Sequence, residues 1–181
     1  MTDVIKTARL ELRPLTMQDE AAYFAVVNDY DVVKMTASWP WPVSRSYVAD
    51  RLEQAATRDP SRNAGLGIFA NGELAGNMGG HLEAHHVTGE EVIWVGFMLA
   101  RKWWGAGLMT EALSVLCPYL WRRLGFVDIY GEHYTDNPAS GRVMEKAGFT
   151  FVGPAQEVWC AAREKHLSGR QYRLAAEGMP S

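Results

Sequence analysis

The sequence predicts a mixed α/β domain of the α+β kind, with one central, mostly antiparallel sheet and helices packed on it. Three observations carry this. Strands joined by a hairpin and flanked by helices fill the first half, whereas the second half reads strand, helix, strand, helix, strand. Asn71-Gly72 stands between the apolar runs Leu66 to Ala70 and Leu74 to Leu82, the strongest short-range hairpin signal. Val92 to Leu99 is almost unbroken apolar with β-branched and aromatic members, the pattern of a central strand covered on both faces. At 181 residues, a single domain over 1–181 suffices for a substantial core.

Arg9 to Leu15 alternates polar and apolar side chains with Leu10 and Leu12 turned inward, and Pro14 marks its exit, so it reads as the first strand. Thr16 and Asp19 offer caps for a helix to about Val27, and a short helical turn follows over Val32 to Met35. Trp39-Pro40-Trp41-Pro42 is excluded from a helix interior by its prolines and leaves two large aromatics on a stiff loop. Ser44 caps a helix to about Arg58 whose buried side is Tyr47, Val48, Leu52 and Ala55. After the hairpin, Glu83 to Glu90 connects to the central strand. His81, His85 and His86 lie around that connection, but no cysteine or second histidine pair completes a tetrahedral set, so no metal site is expected.

The central strand then enters a glycine turn and a helix. Met109, Ala112, Leu113, Leu116 and Leu120 recur at helical spacing, and Pro118 should bend that helix or end it early. Asp128 to Thr135 is the next strand. Pro138 starts a further helix that Gly148 closes. Phe151-Val152 and Tyr172 to Leu174 mark two last strands.

Gly105 and Gly107 remove side chains where the amides of a helix N-terminus are free. Unpaired N–H groups and the positive end of the helix dipole converge there, which suits a phosphate. No Gly-Lys-Ser/Thr end is present, and Thr110 occupies the place of the third glycine of a dinucleotide fingerprint. Taken alone, two glycines could as well be a plain tight turn.

The wider stretch Trp104-Gly105-Ala106-Gly107-Leu108-Met109-Thr110-Glu111-Ala112 resembles the coenzyme A loop of the GNAT acetyltransferase superfamily, in the form used by its ribosomal-protein N-terminal acetyltransferase branch. Asn137-Pro138-Ala139-Ser140 and Glu145-Lys146-Ala147-Gly148-Phe149 resemble that family's second motif, and Arg9 to Leu15 with Asp19 resembles its opening, so the likeness spans nearly the whole chain. Trp104 is usual for the ribosomal branch; at Met109 the superfamily more often has Gly or Ala.

The resemblance implies a sheet whose middle strands splay apart, with acetyl-CoA as co-substrate in the gap and no metal. The pantetheine arm would lie on Phe97 and Leu99, the diphosphate on the amides from Gly105 to Thr110, Ala106, Gly107 and Met109 among them, with Trp104 just before them in the same cofactor-binding loop, and Asn137 and Ser140 would face the cofactor. Asn137 also reads as an ordinary helix N-cap. Met144 stands where many members carry an acidic tyrosine, which leaves Ser140 either as the acid or as a cofactor ligand only. For the base, Glu91 at the entrance of the central strand is the candidate put first, with His133 and Tyr134 beside it; a solvated salt bridge is the bland reading of Glu91. Trp39 and Trp41 either cover the core edge or wall an acceptor pocket.

The implied reaction is acetyl transfer to a primary amine by direct attack, with a protein N-terminus as one acceptor class. A small-molecule acetyltransferase acting on antibiotics or polyamines, and a silent coenzyme A sensor, are the alternatives. A formal charge of -3 gives little support to nucleic-acid binding. No long apolar span points to a membrane, and Cys117 and Cys160 form no Cys-x-x-Cys pair, so a cytoplasmic protein with reduced thiols is expected. The sequence leaves the oligomeric state open, a homodimer included.

Overall fold

The protein is described by a computed structural model covering residues 4–176. Eight strands form one sheet in the order β1-β2-β3-β4-β5-β6-β8-β7: β1 Ile5–Lys6, β2 Leu10–Arg13, β3 Asn63–Ala70, β4 Glu73–Ala84, β5 Glu91–Leu99, β6 Ile129–Tyr134, β7 Thr150–Cys160 and β8 Lys165–Leu174. The helices are α1 Glu20–Val27, α2 Tyr30–Val33, α3 Arg45–Thr57, α4 Leu108–Leu124 and α5 Pro138–Lys146.

Strand alternation divides the core in two. Leu12, Ile68, Ala75, Ile93 and Leu99 turn toward α4, where they meet Leu113, Leu116 and Leu120. Their neighbours Phe69, Leu74 and Met98 turn the other way and pack with Val27, Val33, Val48 and Leu52 of α1 to α3. Helices therefore cover both faces of the sheet.

Local signals act as their chemistry dictates. Asn71 and Gly72 both take positive φ, 52° and 79°, as a two-residue hairpin of type I′ requires. Ser44 Oγ accepts the Tyr47 N–H at 3.1 Å and starts α3. At the end of α5, Gly148 has φ 95°; its N–H donates to Glu145 O and that of Phe149 to Met144 O, the paired closure of a glycine cap.

Two expectations need correction. The helix at Pro118 neither ends early nor breaks: α4 runs all 17 residues, because Leu116, Cys117 and Leu120 are buried on both sides of the proline and their packing outweighs one absent bond. The short helix after α1 begins at Tyr30, since the Asp29 side chain accepts the Asp31 N–H at 3.0 Å and caps it there. The last two strands contain Phe151-Val152 and Tyr172 to Leu174 as expected, and β7 and β8 form a hairpin paired from Thr150↔Arg173 to Cys160↔Lys165. Cys117 and Cys160 are free and buried.

Candidate active site

One parallel pairing interrupts the antiparallel sheet. β5 and β6 pair only over Ile93↔Ile129, Trp94↔Tyr130 and Val95↔Gly131, although β5 continues to Leu99 and β6 to Tyr134. Beyond Val95 the two strands part.

Alternation shows which groups face the gap. The Ile93 N–H donates toward β6, to Asp128 O at 2.9 Å, and the Ala100 N–H donates the opposite way, to Ala75 O at 2.8 Å. Odd-numbered residues of β5 therefore aim their main chain at β6, and Phe97 and Leu99 do so where the ladder has stopped. The Leu99 carbonyl is occupied by Trp104 Nε1 at 2.8 Å. The Phe97 amide and carbonyl and the Leu99 amide are left to bind an extended, amide-bearing partner.

These groups run into the glycine turn. Gly105 and Gly107 have φ of 75° and 76°, a region costly for any side chain, while a Cβ on Gly105 would meet nothing within 4 Å. Conformation, more than crowding, demands glycine here. The first helical bond of α4 is Glu111 N–H to Gly107 O at 3.1 Å, so the amides just before Glu111 have no helical acceptor. Leu108 and Met109 bury their side chains in the core, so only main chain is offered at those positions, whereas Trp104 is 48 % exposed. A diphosphate fits this cradle.

Across the gap, α5 brings two predicted residues together. Asn137 occupies the N-cap position of α5 but makes no side-chain cap bond; its Nδ2 donates to Ser140 Oγ at 3.0 Å. That bond uses a lone pair of Ser140 and leaves the hydroxyl proton available. Met144 is fully buried, its sulfur packed over Gly131, where a Cβ would stand 2.6 Å away. Position 144 is core.

The base candidates are dispersed. Glu91 lies at the opposite end of β5, six residues or about 20 Å from Phe97, and is ion-paired with Arg62 at 2.9 Å. The structure does not bring Glu91 to the gap, and it fills the salt-bridge role. His133 turns under α5, with Nδ1 on the Tyr134 carbonyl at 2.7 Å. The Tyr134 hydroxyl donates to Thr36 O and Trp159 O at 3.4 and 3.3 Å, and burial pushes its pKa well up, which unsuits it as a base.

Sequence reasoning missed Glu132. It is the first β6 residue past the last parallel pair, and alternation turns it to the face opposite His133 and α5. Gln171 Nε2 donates to its Oε1 at 2.8 Å, and the β5 residue that would oppose it is Gly96, where a Cβ would meet nothing within 4 Å. A carboxylate thus borders open space on the α1–α3 side of the gap. The period-2 pattern carried that signal, but only once the pairing register was known.

The same side is roofed by the connection after α2. Ala161 N–H donates to Ala37 O at 3.0 Å, and Arg163 Nε to Lys34 O at 2.7 Å while its guanidinium grips Asp136 at 2.5 Å. That pairing lowers the Asp136 pKa. Trp39 is buried between Tyr23 and Tyr47 and covers the core; Trp41 remains 40 % exposed beside Tyr30.

Two surface depressions lie elsewhere. One, of 910 Å³, is lined by Arg13, Asp19, Asp29, Glu73, Arg101 and Lys102, all ion-paired: Arg13–Asp19, Arg101–Asp29 and Lys102–Glu73. The other, of 520 Å³, adjoins Thr7, Arg9 and Ala106. Neither is lined by Phe97, Asn137 or Ser140, so the unpaired main chain of the gap marks the chemistry better than concavity does.

A family model described as acetyltransferase (GNAT) domain matches residues 9–150. The chain belongs to the GNAT acetyltransferase family. It is 28% identical over 155 residues to the uncharacterized N-acetyltransferase YoaA of Bacillus subtilis, covering 84% of this chain and 86% of that one. It is 30% identical over 162 residues to an Aspergillus fumigatus FsC-acetyl coenzyme A-N(2)-transacetylase; the match takes 82% of this chain and 65% of the length of that relative, just under two thirds. Among solved structures, the ribosomal L7/L12 alpha-N-protein acetyltransferase RimL in complex with coenzyme A has a TM-score of 0.79 at 19% identity over 96% of this chain and 98% of that one. Mycobacterium smegmatis RimJ in complex with CoA-disulfide has 0.79 at 18% over 99% and 90%. These last two likenesses speak to the fold. This GNAT protein is thus an N-acetyltransferase with a mixed α/β sheet.

Proposed function

We propose that this protein moves the acetyl group of acetyl-CoA to a primary amine, with protein N-terminal amines the first acceptor class to test. The observation that carries the reading is a row of two main-chain sets with no partner among the described residues: the Phe97 amide and carbonyl with the Leu99 amide on β5, and the amides just before Glu111 at the start of α4. Such a row matches a ligand with amides at one end and a diphosphate at the other.

Each role follows from position. The β5 amides at the gap polarise the thioester carbonyl as negative charge develops on its oxygen. Glu132 takes the proton of the attacking amine on the open side. As the new C–N bond forms and the C–S bond breaks, the Ser140 hydroxyl passes a proton to the departing sulfur and takes one back from water, while Glu132 returns the amine's proton to solvent. Asn137 holds Ser140 in place, and no metal is required. A cytoplasmic setting, where thiols such as Cys117 and Cys160 stay reduced, suits this reading.

A small-molecule acceptor is the second reading, favoured by the 30% identity to the FsC transacetylase. A silent coenzyme A sensor is the third reading, since Met144, a core residue, supplies no acid at that position.

Isothermal titration should show one acetyl-CoA bound per chain; a folded sample that binds none refutes the proposal. Thiol release is then read with peptides bearing free N-termini and with polyamines. Turnover on the peptides supports the first acceptor class, turnover on polyamines alone supports the second, and binding without turnover returns the sensor.

A further inference from the structure

The first turn of α4 carries a feature that works against anion binding. Glu111 sits there, and its carboxyl is held below the ordinary glutamate range, chiefly by the Thr7 hydroxyl at 2.6 Å and further by Arg9, against the opposing effect of burial. An ionised carboxylate beside a helix N-terminus repels a second anion. Arg9 answers this: its main-chain N–H donates to Glu111 Oε1 at 3.0 Å and its Nε to Oε2 at 2.6 Å.

The same guanidinium does something more specific. Arg9 Nη1 donates to the Ala106 carbonyl at 2.8 Å, and Nη2 lies 3.7 Å from where a Cβ of Gly107 would stand. The Ala106–Gly107 peptide is trans, so its C=O and N–H point in opposite directions. A carbonyl drawn outward to Arg9 forces the Gly107 N–H inward, to the side of the free helix amides.

We infer that Arg9 is a positioning residue for the diphosphate of the donor: it aims the Gly107 N–H into the cradle and neutralises Glu111 behind it. This rests on the donor reading above. Arg9 acts through the loop and lines the 520 Å³ depression on its outer side. Nothing in the glycine motif names this residue, which lies nearly a hundred positions upstream.

The test compares coenzyme A with pantetheine, which retains the arm along Phe97 and Leu99 but lacks the diphosphate. Direct titration measures the first and competition titration the second. Arg9→Gln should weaken coenzyme A about tenfold, the worth of one N–H bond to a charged group, while pantetheine affinity stays unchanged. Glu111→Gln, which removes the opposing charge while its amide oxygen still accepts from Arg9, should bind coenzyme A at least as tightly as the wild type. Wild-type coenzyme A affinity in Arg9→Gln, equal losses for both ligands, or an equal loss in Glu111→Gln overturns the inference. Should Arg9→Gln fail to fold, Arg9→Lys replaces it, because one ammonium cannot span Ala106 and Glu111 as the guanidinium does; the same selective loss is expected, and full affinity overturns the inference. A wild-type protein that binds no coenzyme A instead overturns the donor reading and this inference with it.

Discussion

The two sides of the β5–β6 gap are built by different means. The donor side is main chain: strand amides and a helix N-terminus, set by two glycines at positive φ within a few residues of one another. The side proposed for the acceptor is made of side chains and a roof drawn from distant parts of the chain, Lys34 to Ala37, Glu132 and Ala161 to Arg163. A main-chain surface reads only the shared features of a ligand, its amides and charge. A side-chain surface can be altered one residue at a time. The common donor and the variable acceptor of the reaction divide along that line.

Substitutions on either side sharpen the contrast. Glu132→Gln should lower kcat by about 10²- to 10⁴-fold, the range for losing a general base. Titration should show acetyl-CoA binding unchanged; a matching loss of binding would place Glu132 on the donor side instead. Gly107→Ala should weaken acetyl-CoA about tenfold, because a methyl-bearing residue resists the left-handed conformation by about 1–2 kcal/mol. Equal affinity in that variant would show that the cradle does not need its geometry. Glu91→Gln should change both kcat and thermal stability least, since an exposed pair with Arg62 is worth about 0–1 kcal/mol. A large fall in kcat would restore Glu91 as a candidate base.

This division also explains what the sequence disclosed. The glycine turn at Gly105 and Gly107 was legible because its demands are local, a positive φ and free helix amides, whereas Asn137 and Ser140 were singled out by the family resemblance. Phe97 and Leu99 came from the family resemblance alone, and the direction of their main chain needed the hydrogen bonds of Ile93 and Ala100. The distance of Glu91 from the gap was not legible, because the point where β5 and β6 part depends on their pairing register and not on the strand's own sequence. Glu132 went unnoticed because its neighbours across the sheet, Gly96 and Gln171, are far away in sequence. Pro118 was given too much weight as a breaker, since no local rule weighs the burial of Leu116, Cys117 and Leu120.

The hairpin of β7 and β8 has one more bearing on the protein. The segment after α2 hangs from its tip by main-chain bonds and by Arg163, so any lengthening or shortening of that tip carries the overlying segment along. Under the proposed function, insertions at this tip would retune selectivity among amines while leaving the coenzyme half of the gap untouched.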